Sequence, residues 1–396
     1  MKKIFLHIGC GKTGSSALQL WLNNNAKELN SGGVYYPLFG SGKLDEYVIT
    51  SGNGIHFMDS ISKSNVRELL VNVIKEAGGR DILFSSEQFQ SLGETDLQQL
   101  KDLFTDLDLD PVVIAYVRDV YDIIYSSYLQ LVKRHLYTQT FREFALARRD
   151  AQQFKVVRRW SSVFNTMKVM HYDSEKESLD ISFCSALGVA RGRIPAMPKM
   201  KVNRSLTLEE TELLRLINHE YVTQFDDPNQ YLSWVISDAF IMNEPEALTP
   251  ILVDQNVLKH VENIFKSDID WVNDKFFMGE EVLSTFNPDG KFIATEMPTL
   301  SKPIATAIHA LMSAITSFDL NGQILEARKK DHREKLKISD PRIVEALRDE
   351  AIRREQDSLM DALALMSAAK TLRPSGPQIT SKVNEYRAKL DPKVGS

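Results

Sequence analysis

The sequence predicts an α/β fold: a three-layer sandwich with a central parallel sheet of about five strands, followed by a helical C-terminal region. Three observations predict it. Apolar runs at Lys3–Ile8, Asp81–Ser85 and Val112–Val117 are near-continuous, as strands buried on both faces must be. Stretches with helical spacing of apolar residues separate these runs. The first run breaks into Gly9-Cys10-Gly11-Lys12-Thr13-Gly14-Ser15-Ser16 and then a helix-like Leu18-Gln19-Leu20-Trp21-Leu22, a strand–loop–helix order.

The elements follow in turn. A strand over Lys3–Ile8 leads to a helix over Ser15–Leu29, and Gly33-Val34-Tyr35-Tyr36-Pro37 is a short strand closed by proline. Ser41–Gly54 is glycine-rich and is expected to form an irregular substrate-side loop, extended to Asp59 where acceptor choice is concerned. Val66–Ala77 is a helix and Asp81–Ser85 a buried strand. A helix over Leu97–Phe104, the Val112 strand and a long helix over Tyr121–Arg134 come next. Trp160-Ser161-Ser162-Val163-Phe164 precedes a last strand at Lys168–Tyr172, and Phe183–Gly188 is a helix end. Alternation of this kind gives a parallel sheet with helices on its faces.

The N-terminal loop is expected to bind a phosphate or sulfate group, although a Gly-Lys-Thr tripeptide alone is also found in plain turns. Backbone N–H groups, the positive end of a helix, the Lys12 ammonium and the Thr13, Ser15 and Ser16 hydroxyls converge on one point. It is not a Walker A loop, in which four residues separate a first glycine from the Gly-Lys pair; here that position is Leu6, inside the strand. Arg118 ends the Val112 strand, on the edge of an open α/β sheet where ligands bind, and supplies a bidentate fork for a phosphate.

These two motifs resemble those of the sulfotransferases that use 3′-phosphoadenosine 5′-phosphosulfate (PAPS), which share a P-loop-like fold. His7-Ile8-Gly9 with Lys12-Thr13-Gly14-Ser15-Ser16 is similar to the family's 5′-phosphosulfate loop. Arg118, with Ser126 on the following helix and Ser127 beside it, is similar to its 3′-phosphate site. The resemblance implies PAPS held by Gly11, Lys12, Thr13, Gly14, Ser15, Ser16, Arg118 and Ser126, leaving as 3′,5′-ADP. It places Lys201, Asn203 and Arg204 as groups closing over the nucleotide. Lys12 would neutralise charge on the leaving oxygen, and no metal is expected, because sulfate carries less charge than a phosphoryl group.

Transfer to a hydroxyl or amine needs a base. Glu87, just past the Asp81 strand, is the first choice, with His56 as second base or acceptor-binding group. His7, within the first strand, is expected to be a packed core residue. The acceptor implied is a carbohydrate, a glycan or glycolipid such as a bacterial surface polysaccharide or its lipid-linked precursor. A P-loop small-molecule or nucleotide kinase is the alternative; it lacks its Walker A loop here, and Asp119 is its one modest Mg²⁺ carboxylate. A non-catalytic glycan-binding or scaffold protein is a third reading, with no need for cations at two phosphate sites.

Composition agrees with a globular enzyme: 396 residues, 43% hydrophobic and 26% charged. A net charge of -5 argues against general nucleic-acid binding or an anionic membrane surface. Cys10 and Cys184 make no disulfide framework; Cys10 is either a small residue fitted to a tight turn or a reactive thiol. No signal peptide or membrane-spanning run is visible, so a cytoplasmic location is expected. The sulfotransferase domain is expected over 1–290 and a helical extension over 291–396. In the extension, Ile304–Phe318 and Asp357–Leu390 read as helical. Ala362, Leu365, Ala368 and Ala369 form a small-residue stripe like that of a tetratricopeptide helix pair, a possible face for a protein partner.

Overall fold

The computed structural model describes residues 1–39, 51–190, 192, 194–198, 205–224, 228, 230–242, 250–298, 341–355, 359–372 and 377–390. Five strands, β1 (Lys2–Ile8), β2 (Val34–Tyr35), β3 (Asp81–Ser86), β4 (Leu109–Val117) and β5 (Met167–His171), form one parallel sheet in the order β2-β3-β1-β4-β5. The chain leaves β1 toward the β2 edge, and leaves β3 across β1 toward β4. The direction of travel reverses around β1, which opens a crevice at the carboxyl ends of the strands.

Register sets what reaches that crevice. Ile8 lies opposite Ser86 on one side and Ala115 on the other, and Val117 lies opposite His171. Gly9 and Glu87 therefore leave the sheet at one level, and Arg118 and Tyr172 at another. Alternation along β1 divides the core. Ile4, Leu6 and Ile8 pack with Phe57, Phe84, Phe104 and Trp160 on one face. Phe5 packs with Trp21, Leu83, Tyr116 and Phe183 on the other. His7 shares that second face, its ring 5.1 Å from Phe183 and its Nδ1 2.7 Å from Ser85 Oγ. It is a core residue, and burial pushes its pKa down to about 3.

The helix expected over Ser15–Leu29 is two helices, α1 (Ser15–Asn24) and α2 (Ala26–Ser31). Asn25 explains the break. Its side-chain Nδ2 and its backbone N–H both donate to the Trp21 carbonyl, at 2.8 and 3.0 Å, and it turns the chain out of helical geometry. Most of the expected substrate-side loop, residues 40–50, lies outside the described residues, and its extension to Asp59 is helical: Gly54–Ser62 is α3. Its apolar positions, Phe57 among them, reach the core. A short reading window rich in glycine concealed them.

The remaining helices of this region are α4 (Val66–Ala77), α5 (Glu94–Asp106), α6 (Val120–Arg134), α7 (Phe141–Leu146), α8 (Gln152–Val163), α9 (Tyr172–Glu175) and α10 (Leu179–Leu187). α10 ends on Gly188, left-handed at φ 74°. Beyond it lie Leu208–Gln224, Tyr231–Met242 and Gln255–Phe276, all helical. The chain divides into two compact units, one of Met1–Ser126, Ala145–Asn203 and Gln255–Asn287, the other of Ser127–Phe144, Arg204–Asp254 and Pro288–Ser396.

Within the second unit, helices Pro341–Arg354, Leu359–Leu372 and Pro377–Leu390 share a core. Ala362, Leu365 and Ala369 of the small-residue stripe are buried there against Val344, Leu347, Val383 and Tyr386, while Ala368 is exposed. The third helix, ahead of the expected pair, supplies the cover that a pair alone lacks. No helix among the described residues is long and apolar enough to cross a membrane.

One side chain extends the sheet. β2 stops at Tyr35, opposite Ile82. Beyond it, buried Asn53 donates from Nδ2 to the Leu83 carbonyl (3.0 Å) and accepts from the Ser85 N–H at Oδ1 (2.8 Å). A neighbouring strand would make this same pair of bonds across Phe84. Asn53→Ala leaves both groups unpaired inside the protein, so urea unfolding should show a stability loss of about 2–6 kcal/mol, from roughly 1–3 per unsatisfied group. An unchanged unfolding midpoint would contradict this role.

Candidate active site

The loop after β1 is shaped by two left-handed residues. Lys12 has φ 68° and Gly14 φ 72°. Gly14 caps α1, and its carbonyl accepts the first helical bond from Leu18 N–H at 3.0 Å. A Cβ at Gly14 would lie 2.9 Å from Tyr172 Cε2, so both conformation and space require glycine there. For a lysine the left-handed conformation costs of order 1–3 kcal/mol and persists only when its surroundings impose it. Two bonds do so. Thr13 Oγ1 donates to the Cys10 carbonyl at 2.5 Å, and Arg118 Nη1 donates to the Lys12 carbonyl at 3.3 Å. At Gly11 an added Cβ would meet nothing within 4 Å, so the backbone there is bare for close approach of a ligand.

Glu87 stands beside this loop. A Cβ at Gly9 would lie 2.7 Å from Glu87 Cγ and 2.7 Å from Ser15 Oγ, so glycine lets the carboxylate close on the strand end. Ser15 is buried and hydrogen-bonds the Glu87 carboxylate, and Lys12 is its charge partner. Burial pushes the Glu87 carboxyl up, against the pull of Lys12 and Ser15. Burial likewise lowers the Lys12 ammonium, which Glu87 raises and Arg118 lowers. For both partners desolvation outweighs attraction. Ser16 is exposed at the start of α1. Cys10 is fully buried and its thiol is pushed up to about 12 by burial and then by Glu87, so it is a packing residue rather than a reactive thiolate.

Arg118 is held on every side. Its backbone N–H donates to Gln153 Oε1 (3.0 Å) and its carbonyl accepts from Gln153 Nε2 (2.9 Å). Its Nε donates to Asp173 at 3.1 Å, its Nη2 lies 3.6 Å from Asp122, and the guanidinium carbon sits 5.3 Å from the Tyr172 ring centroid. Ser126 is half-buried on α6, four residues beyond Asp122 and hence on the same helix face.

The structure thus brings Lys12, Ser15, Glu87 and Arg118 to one group, each from a different strand end or helix start. His56 is not joined to it: it is exposed on α3, and its described contact is with the Phe39 ring at 4.7 Å. Lys201, Asn203 and Arg204 lie outside the described residues.

Sequence reasoning passed over Tyr172 and Asp173, which follow β5, and His171 at its end. It gave Asp119 only a minor part. The rule that ligands gather at strand carboxyl ends would have nominated them. Asp119 is fully buried; its Oδ1 accepts from Ser284 N–H (2.9 Å) and Oγ (3.0 Å), with His171 Nε2 at 3.2 Å. Ser284 is distant in sequence, and no local pattern announces it.

The raised Glu87 carboxyl has a consequence for stability. The folded state holds this proton more tightly than the unfolded chain, so stability falls as pH rises from the ordinary value of 4.5 through the raised one. In urea unfolding across pH 4–8, Glu87→Gln should gain on the wild type as pH rises through that window. A pH-independent difference between the two would contradict the burial of this charge.

No protein-family model matches the chain, and no curated protein matches it. Among solved structures it is similar to a sulfotransferase from Alicyclobacillus acidocaldarius, with a TM-score of 0.33 and 16% sequence identity, covering 62% of this chain and 98% of that one. A likeness of this extent says nothing about chemistry, which the residues themselves must carry.

Proposed function

We propose that the chain is a sulfotransferase that moves a sulfuryl group from PAPS to a hydroxyl or amine of a carbohydrate acceptor. The observation that carries this reading is the meeting of two buried or half-buried cations from separate strands at one short glycine loop: Arg118 Nη1 lies 3.3 Å from the carbonyl of Lys12. A ligand with two separated anionic groups suits that pair. The loop fits the smaller demand of a sulfuryl group, since it lacks the extra turn of a Walker A loop. The carbohydrate acceptor rests on the family resemblance of the two motifs.

In this reading the acceptor oxygen or nitrogen attacks sulfur as the bond from sulfur to the bridging phosphate oxygen breaks, and 3′,5′-ADP departs. Lys12 balances the negative charge growing on that oxygen, with loop N–H groups and Ser16 as further donors. Glu87 takes the acceptor's proton. Its carboxyl, raised by burial, is a stronger proton acceptor than an ordinary carboxylate, and Ser15 keeps it oriented. Arg118 and Ser126 hold the 3′-phosphate, a remote group whose binding energy orients the reacting end. Lys201, Asn203 and Arg204 are assigned to closing over the nucleotide.

Two measurements test this. Thermal unfolding with 3′,5′-ADP, 5′-AMP and Mg-ATP should show stabilisation by 3′,5′-ADP, about 2.7 kcal/mol at a hundred times its dissociation constant. Arg118→Ala should abolish it. A shift with Mg-ATP in place of 3′,5′-ADP would turn the reading to a kinase. Secondly, Lys12→Ala should slow sulfuryl transfer several-hundred-fold, the equivalent of about 3–4 kcal/mol for one preorganised donor, while 3′,5′-ADP still binds. Undiminished transfer by that variant would refute the role of Lys12.

A further inference from the structure

We propose that Gln90 and Arg159 are positioning residues: together they fix the turn that carries Glu87 against the loop that carries Lys12. The part Glu87 plays in the reaction rests on the sulfotransferase reading; the placing of its carboxylate does not.

The chain of bonds starts on α8. Arg159 Nη2 donates to the Gln90 carbonyl, and Gln90 Nε2 donates to the Gly9 carbonyl, each at 2.5 Å. Gln90 lies at the far end of the short helix Glu87–Ser91, which Glu87 opens. One side chain thus ties the far end of the Glu87 turn to the root of the Lys12 loop. The near end is fixed as well. Gly9 N–H donates to the Ser86 carbonyl at 3.3 Å, and Ser86 Oγ accepts from Gln88 N–H at 3.2 Å. Held at both ends, the turn keeps Glu87 against the end of β1.

The same bond shapes the loop. The Gly9 carbonyl and the Cys10 N–H belong to one peptide plane. Gln90 donates to the carbonyl, and the N–H donates to the Ile8 carbonyl at 2.9 Å, so the plane is held from both sides. Further on, the Cys10 carbonyl accepts from Thr13 and the Lys12 carbonyl from Arg118. Gln90 therefore holds the first half of the loop from the β3 side, as Arg118 holds the second half from the β4 side.

Helix α8 is the common support. Gln153, near its start, clasps the Arg118 backbone, and Arg159 on the same helix reaches Gln90. Trp160 lies against Phe89 of the Glu87 turn, ring centroids 6.2 Å apart. Arg159 Nε is buried without a hydrogen-bond partner, and among the described residues the Gln90 carbonyl is the acceptor that the guanidinium serves.

The test uses the full-length chain. Gln90→Met keeps the length of the side chain and removes its donor; Arg159→Met removes the brace behind it. With PAPS alone and water as the acceptor, kcat for release of 3′,5′-ADP should fall about ten- to hundred-fold in Gln90→Met, the scale of a misplacement of about 1 Å. The dissociation constant of 3′,5′-ADP should stay at its wild-type value. Arg159→Met should slow release in the same way, and the double variant should be no slower than Gln90→Met, because the two residues act in series. A second readout needs no turnover. The advantage in stability that Glu87→Gln gains over its parent between pH 4 and pH 8 should shrink in the Gln90→Met background, where the carboxylate is free to reach water. If the wild type neither binds 3′,5′-ADP nor consumes PAPS, the sulfotransferase reading fails and this second readout alone decides the positioning role. An advantage that changes equally with pH in both backgrounds would overturn the proposal, as would a wild-type kcat in Gln90→Met of an active chain.

Discussion

The bond from Arg118 to the carbonyl of Lys12 is the interaction on which the site depends. It joins the loop after β1 to the loop after β4, and it lands on a residue held in left-handed geometry. A bond from a charged donor contributes about 1.5–3 kcal/mol, close to the 1–3 kcal/mol that a left-handed lysine costs. The two nearly cancel. The loop keeps its shape because Arg118 is itself immobile, its backbone clasped by Gln153 and its side chain by Asp173, Asp122 and Tyr172.

That rigidity has an electrostatic side. Each cation of the site already faces a carboxylate: Lys12 faces Glu87, and Arg118 faces Asp173 and Asp122. Burial outweighs attraction in the Lys12–Glu87 pair, which leaves both groups readier to exchange a proton than they would be in water. A site of this kind is suited to a proton transfer coupled to the movement of an anionic group.

Glycine placement ties the chemistry to the fold. Gly9 lets Glu87 and Ser15 close on the end of β1, and Gly14 lets Tyr172 lie against the start of α1. Away from the loop, Asn53 completes the edge of β3 with its side chain, carrying the sheet past the short β2. The strand end from which Glu87 emerges is thereby paired on both sides.

The amino-acid sequence alone determined the alternating α/β order, the buried strands, the glycine loop with Lys12, and the placing of Glu87 and Arg118 at strand ends. These are local properties. Apolar runs, glycines before a helix and a charged residue closing a strand act within a few residues, and their periodicity is legible. Tertiary structure decided what depends on distant partners. The helix break at Asn25 and the helix at Gly54–Ser62 escaped a reading of pattern because one turns on a single side-chain bond and the other on apolar residues scattered in a glycine-rich stretch. The cluster of Asp119, His171 and Asp173 with Ser284 forms only because β4 lies beside β5 and residues far down the chain return to cap α6. Sheet order brings such groups together, and the pairing of strands distant along the chain is not written in any one stretch of it.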